Sequence, residues 1–203
     1  MLDRIRTPLV LASASEVRAT LLRNAGLTFE VAPTRVDEEA LRAALAEEGA
    51  SPRDQADALA ELKALRVSGK RPDALVIGSD QILEYQGAIF SKPRNEADAA
   101  EHLRRLRGQT HRLLSAVVVC RGGEPIWRHV GVARLTMAEF SDGYLADYVA
   151  RNWQSIRHSV GCYKLEEEGV RLFSRIEGDY FTILGLPLIE LLTWLRIRGE
   201  IAS

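Results

Sequence analysis

Residues Leu9 to Arg18 read Leu-Val-Leu-Ala-Ser-Ala-Ser-Glu-Val-Arg, and this stretch restricts the chain more than any other. A short apolar run breaks directly into serines, and a helical pattern follows. Val17, Leu21 and Leu22 share one helical face, and Gly26 stands at its end. A strand that feeds straight into a helix leaves unpaired backbone N–H groups and the positive end of the helix dipole at the junction. Ser13 and Ser15 add hydroxyls there, and Arg18 adds a planar, permanently charged fork that matches phosphate oxygens. The junction reads as a seat for a phosphate-bearing ligand. It reads equally as a plain helix start, because Ser13-x-x-Glu16 has the form of a capping box and Arg18 has the character of a solvated helix residue.

Beyond this junction, strands alternate with helices. Pro8–Ser13 predicts a strand, Glu16–Asn24 a helix, Phe29–Ala32 a strand and Glu38–Glu48 a helix stopped by Gly49. Ser51-Pro52 opens a helix that runs to about residue 68. Ala74–Gly78 is a second apolar strand, ending in a turn at Ser79-Asp80-Gln81. Ile82–Tyr85 and Ala88–Phe90 form a hairpin around Gln86-Gly87. Asn95 caps a helix through Arg107. Thr110–Arg121 and Pro125–Met137 make a long hairpin around Gly122-Gly123. Ser141 caps a helix to about Arg151, and Leu172–Ile176 is a further strand. Leu186–Arg198 is the last helix, with Pro187 in its first turn. The pattern predicts an α/β fold with a mixed twisted sheet flanked by helices, in two lobes with an active-site cleft between them. No repeat or linker divides residues 1–203, so a single domain is expected.

Composition excludes several functional classes. The formal charge is −1 over 203 residues, which argues against a surface for a nucleic-acid polymer. Any polyanion bound is small and met by a few local cations. Cys120 and Cys162 form no CxxC pair, which suits a reducing cytoplasm and argues against a cysteine-ligated zinc site. The segment from Asp3-Arg4-Ile5-Arg6 through Pro8–Ala14 is too short in its apolar part for a signal peptide, and no run is long enough to span a bilayer. The four histidines show no HExxH spacing, and GxxxxGK[ST] and GxGxxG are both missing from the sequence.

The remaining candidates are polar groups at the ends of elements. Asp80 follows an apolar strand, where it suits a divalent cation or an oriented water, and where it equally suits an ordinary turn. Glu38 follows Asp37 at a helix start, a position that favours a carboxylate for the dipole alone. Lys63 lies among small and apolar residues in Leu59-Ala60-Glu61-Leu62-Lys63-Ala64, so it must snorkel or serve a site. Lys92 precedes Pro93 and by itself is a surface lysine.

Taken in order, the segments resemble the Maf family of nucleotide pyrophosphatases. The matching elements are Ser13-x-Ser15-x-x-Arg18, Asp37-Glu38, Leu59-Ala60-x-x-Lys63-Ala64, Gly78-Ser79-Asp80-Gln81, Lys92-Pro93, Gly161-x-Tyr163-x-x-Glu166, Ile176-Glu177-Gly178 and Gly185-Leu186-Pro187-Leu188. The resemblance implies hydrolysis of a nucleoside triphosphate to the monophosphate and pyrophosphate, which keeps noncanonical nucleotides out of nucleic acids. It implies a divalent metal cation, Mg or Mn, at Asp80 and Glu38. Asp80 would be the catalytic proton acceptor, with Glu38 and Lys63 beside it. Ser13, Ser15, Arg18 and Lys92 would surround the triphosphate, and Gln81, Glu166 and Val17 would complete the substrate site. The expected partner is a small nucleotide, with no membrane involved; base rate alone suggests a homodimer. The family also includes a role in restraining septum formation, which offers a non-enzymatic alternative.

Within the family, Gln81 and Glu166 resemble the branch that acts on 7-methyl-GTP. The branch that acts on dTTP and UTP commonly has Thr and Gln at those positions. Val17 departs from the first branch, which often carries a bulky aromatic in that segment. A cationic 7-methylguanine would be matched by the anionic Glu166 and by an aromatic such as Tyr163. Glu166→Gln is therefore expected to lower the ratio of 7-methyl-GTP to UTP turnover, measured as pyrophosphate release. An unchanged ratio removes Glu166 from base selection.

Overall fold

The computed structural model describes residues 7–202; the basic stretch Asp3–Arg6 lies outside them. Seven strands form one mixed sheet: β1 (Leu9–Leu11), β2 (Glu30–Val31), β3 (Leu75–Tyr85), β4 (Ala88–Phe90), β5 (Thr110–Arg121), β6 (Glu124–Met137) and β7 (Phe173–Glu177). Their order is β2-β1-β3-β5-β6-β7, with β4 paired to β3 off this path. β1 pairs in parallel with both β2 and β3, whereas β4 on β3 and β7 on β6 are antiparallel. The helices are α1 (Glu16–Asn24), α2 (Glu38–Glu47), α3 (Pro52–Ser68), α4 (Glu96–Leu106), α5 (Asp142–Ile156), α6 (Tyr180–Ile183) and α7 (Leu188–Ile197). Among the described residues no helix is long and apolar enough to cross a membrane.

The chain divides into two compact units. The first takes the described residues up to Gln81, together with Ser115–Gly131 and those from Tyr180 onward. Its apolar centre joins Leu9 and Leu11 of β1, Leu75 and Ile77 of β3, Leu21 and Leu22 of α1, and Leu191 and Leu195 of α7. These strand residues alternate, so they occupy one face of the sheet. Val76 and Gly78 lie on the other face, where Gly78 meets α3. The apolar stripe of α3 is Ala56, Leu59, Ala60, Ala64 and Val67, at the spacing of one helical face.

The second unit comprises Ile82–Leu114 and Val132–Asp179. β3 turns into β4 through Gln86 and Gly87, both at positive φ (52° and 82°), as a two-residue hairpin requires. Inside this unit the imidazole Nε2 of His111 lies 2.7 Å from the Tyr163 hydroxyl, and both residues are buried. Phe173 packs edge-on against Tyr163, with ring centroids 4.8 Å apart. Gly161 touches the same ring so closely that no Cβ fits there. Tyr163 is thus a core residue, not the accessible aromatic expected beside Glu166.

Several boundaries differ from the sequence-based expectation, each for a physical reason. Ser13 is not the helix cap: Ser15 is, its Oγ accepting the Arg18 backbone N–H at 3.4 Å. Ser79-Asp80-Gln81 is not a turn but the middle of one continuous strand, β3. Its polar side chains find partners on other elements, so the strand need not end where its apolar run ends. α5 continues five residues beyond Arg151, to Ile156, where Ile156 is itself buried. Pro187 takes the cap position of α7 and not its first turn. The residues after Asp179 form the short helix α6, where no helix was expected.

Burial pushes the His111 imidazole down from 6.5 to about 4. The unfolded chain then binds a proton that the folded chain refuses. Stability tied to this histidine is complete above about pH 6.5 and declines as pH falls towards about 4. Urea unfolding at about pH 7.5 and about pH 4.5 is expected to show the parent chain losing about 2–3 kcal/mol more than His111→Phe. Equal losses in the two proteins would show that His111 does not carry this acid sensitivity.

Candidate functional site

The candidate site grows from the contact between α3 and β3 in the first unit. A Cβ on Gly78 would overlap the Ala60 carbonyl oxygen and would lie 2.7 Å from the Ala64 backbone nitrogen. Only glycine lets the two backbones approach this closely. Asp80 follows two residues later on the same face of β3, and Lys63 sits beside Ala64 in the stripe of α3. The Lys63 ammonium lies 2.7 Å from Asp80 Oδ1 and 2.6 Å from Glu38 Oε1. Both Lys63 and Asp80 are buried. Lys63 therefore meets two carboxylates inside the protein and does not snorkel to solvent.

Glu38 opens α2, whose N-cap is Asp37, with its carboxylate accepting the Ala40 N–H at 3.0 Å. One turn on, Arg42 places Nη2 at 3.0 Å from Asp80 Oδ2, so each Asp80 oxygen has its own cation. Arg42 was not foreseen from the sequence. The available signal was its i,i+4 spacing from Glu38, which puts both on one helical face.

At the strand–helix junction, Arg18 is held through two of its three nitrogens. Its Nε donates to the Gly185 carbonyl at 2.8 Å, and Nη1 donates to the Ser79 carbonyl at 3.0 Å and to Ser13 Oγ at 3.2 Å. Ser13 Oγ also accepts the Ser15 N–H at 3.2 Å. Burial pulls the Arg18 guanidinium below the ordinary arginine range, against the opposing pull of Asp80 and Glu38. The fork has five N–H donors, and the three on Nε and Nη1 face these acceptors. The Nη2 edge makes no hydrogen bond to the described residues. Val17 is half-buried in the first turn of α1.

Ser79 and Gln81 point to the opposite face of β3 from Asp80, as alternation demands. Ser79 Oγ donates to the Gly185 carbonyl at 2.9 Å. Gln81 Nε2 donates to Ser115 Oγ at 2.9 Å and to the carbonyls of Thr182 (3.2 Å) and Ile183 (2.9 Å). Ser79 and Gly185 were named as motif residues without a role. The parity of β3 was the signal that would have joined Ser79 to Gln81.

The first unit thus gathers Ser13, Ser15, Arg18, Glu38, Lys63, Asp80 and Gln81 on neighbouring elements. Lys92 and Glu166 belong to the second unit, where both are exposed and make no ion pair among the described residues. Glu167 and Glu168, which follow Glu166, are tied instead to Lys164 and Arg151, at 3.0 and 2.8 Å.

Comparison with known proteins adds an independent finding. The model of one family, described as Maf-like protein, matches residues 8–197. A "Nucleoside triphosphate pyrophosphatase" of Roseobacter denitrificans is 59% identical over 96% of this chain and 98% of its own. A protein of the same name from Ruegeria pomeroyi is 57% identical over the same shares. A "7-methyl-GTP pyrophosphatase" of Rhizobium meliloti is 51% identical over 95% of this chain and 97% of its own.

The geometry at Gly78 makes a direct prediction. Gly78→Ala must push α3 off β3, and is expected to destabilise the chain by about 3 kcal/mol, the upper range for overpacking. A urea midpoint equal to that of the parent chain would show that the helix has room to move.

Proposed function

Because the chain belongs to the Maf-like family, we propose that it is a nucleoside triphosphate pyrophosphatase, cleaving between the α and β phosphates to give the monophosphate and pyrophosphate. The observation that carries this reading is the bridging of Asp80 and Glu38 by the single ammonium of Lys63, within the same unit as the half-locked Arg18. Hydrolysis at phosphorus needs charge neutralisation on the phosphates, a positioned water and a proton acceptor. The cluster has residues of each kind.

Arg18 offers its Nη2 to a phosphate, its plane fixed by the bonds at Nε and Nη1. Ser13 and Ser15 bring hydroxyls and the N-terminal N–H groups of α1. Lys63 and Arg42 hold the Asp80 carboxylate in a fixed orientation. Phosphate oxygens compete for these cations, which frees an Asp80 oxygen to take the proton from an attacking water. The two carboxylates fit a divalent cation in kind: both reach the one Lys63 ammonium, Glu38 at 2.6 Å and Asp80 at 2.7 Å, and hard oxygens with substrate phosphates are the usual magnesium or manganese set. Among the described residues no group of three or more histidine, cysteine or carboxylate side chains converges, so the phosphates would complete the coordination. Such a cation would neutralise phosphate charge and lower the pKa of a bound water.

Lys92 and Glu166 belong to the same proposal, the first for phosphate and the second for the base. Base choice lies between 7-methyl-GTP or another modified nucleotide and dTTP or UTP. The name of the Rhizobium meliloti relative, with Gln81 and Glu166, supports the former. The family match from residue 8 to residue 197 supports a single Maf-like domain. A cytoplasmic setting is supported by the free, buried Cys120 and Cys162, and a homodimer is suggested by base rate alone.

A triphosphate panel with magnesium or manganese tests the reading. Pyrophosphate release is expected, and Asp80→Asn is expected to reduce it at least about a hundredfold with the fold retained by circular dichroism. Full activity in Asp80→Asn removes Asp80 from the mechanism. A parent chain inactive on every nucleotide favours the septum-restraining alternative.

A further inference from the structure

The two carboxylates of the candidate site are bridged by two cations of different standing. Lys63 meets one oxygen of each, Asp80 Oδ1 at 2.7 Å and Glu38 Oε1 at 2.6 Å. Arg42 Nη2 stands by the other oxygen of each, 3.0 Å from Asp80 Oδ2 and 4.0 Å from Glu38 Oε2. Lys63 has little room to withdraw: it is buried, and its helix is seated on β3 at Gly78. Arg42 is differently placed. Its helix, α2, contains no buried residue, whereas α1, α3 and α7 each bury at least three. Glu38, Leu41, Arg42 and Leu45 form the inner face of α2, and all four are half-buried.

Arg42 meets Asp80 through a single nitrogen. Its Nε is shielded from solvent and has no hydrogen-bond partner among the described residues. A shielded N–H left unpaired is costly, so a guanidinium in this pose gains from an acceptor that engages more of its fork. Phosphate groups carry such acceptors in pairs that match the fork. A divalent cation held by Glu38 and Asp80 needs an oxygen from each. Arg42 brings its own positive charge to the same pair of oxygens, and two cations crowded there repel each other.

We infer that Arg42 is a built-in competitor of the divalent cation at Asp80, and that it leaves Asp80 for a phosphate oxygen when a triphosphate binds. The inference rests on the proposed function and adds a rule of loading to it. A triphosphate that draws Arg42 away clears Asp80 for the cation. A cation at Asp80 in turn frees Arg42 for phosphate. Each ligand therefore favours the other, and the cation alone binds weakly. The coupling is reciprocal, as linkage between two binding equilibria requires.

The test measures the two ligands separately on the full chain. Manganese is followed by the paramagnetic resonance signal of the free ion, and inorganic tripolyphosphate by calorimetric titration. Arg42→Met is expected to bind manganese about tenfold more tightly than the parent chain, and tripolyphosphate about tenfold more weakly. Opposite signs are the mark of the competition, since a role confined to holding α2 in place lowers both affinities together. Adding Asp80→Asn to Arg42→Met is expected to abolish the gain in manganese affinity, because the contested oxygen has lost its charge. Arg23→Met removes an exposed arginine that pairs with Glu16 on α1, and is expected to change manganese affinity less than about twofold. Arg42→Gln is expected to move both affinities as Arg42→Met does, and takes its place if that variant folds poorly.

An unchanged affinity for manganese or for tripolyphosphate in the Arg42 variants overturns the proposal. So does a loss of both affinities, which leaves Arg42 a structural role alone. A gain that persists with Asp80→Asn, or an equal gain in Arg23→Met, overturns it as well by making the gain a general effect of charge. A parent chain and variants that bind neither ligand overturn the inference together with the proposed site. Binding with the expected opposite signs, but no pyrophosphate released from any nucleotide, leaves the competition standing and removes the proposed reaction.

Discussion

The backbone contact between α3 and β3 at Gly78 is the constraint on which the candidate site depends. Ala60, Ala64 and Gly78 are small because the helix backbone and the strand backbone almost touch. That closeness brings the next groups along, Lys63 on the helix and Asp80 on the strand, to an ion-pair distance of 2.7 Å. A buried lysine is costly unless its charge is met. Here it is met twice, by Asp80 and by Glu38. The polar cluster and the packing are thus one arrangement: side chains any larger at the contact would separate the charges.

β3 also shows why a strand can read as two pieces. Its first half is apolar on both faces and was legible as a strand from composition alone. Its centre, Ser79-Asp80-Gln81, has the chemistry of a turn. Each of these residues is satisfied by a partner remote in sequence: Lys63, Gly185, Ser115 and the end of α6. A window of ten residues contains none of them. The helices were easier, since Ser51, Asn95 and Ser141 cap them with local bonds that a short window does contain. The misplaced cap at α1 has the same origin. Ser13 and Ser15 are both chemically able to cap, and Ser13 is diverted by the side chain of Arg18 and the N–H of Ser15.

The candidate residues were legible as a set of motifs in order, but the surroundings of each were not. Sequence adjacency suggested that Tyr163 and Glu166 share one environment. In the structure Tyr163 is 4% exposed and bonded to His111, while Glu166 faces solvent. Three residues are enough to separate a core side chain from a surface one when the chain turns between them. Conversely, Arg42 lies in no motif that was recognised, yet it contacts Asp80 directly. The signal that points to it is helical spacing relative to Glu38, which becomes informative only once Glu38 is known to pair with Lys63.

The charges of the cluster explain how Asp80 and Lys63 come to be buried, with the half-buried Glu38, Arg42 and Arg18 around them. Asp80 and Glu38 contribute two negative charges, and Lys63, Arg42 and Arg18 three positive ones. Alone, either set would be expelled by its desolvation cost. Together they leave one net positive charge, so the folded chain tolerates the cluster and the cluster still favours an anion. In the proposed reaction phosphate oxygens would exchange for carboxylate oxygens on the same cations, so little new charge would have to be desolvated in the protein. The carboxylates released in such an exchange would be the groups to meet a divalent counter-ion and a proton. On that proposal the preorganisation that catalysis at phosphorus requires would lie in the pairs that stabilise the fold, and substrate binding would redistribute those pairs without having to build them.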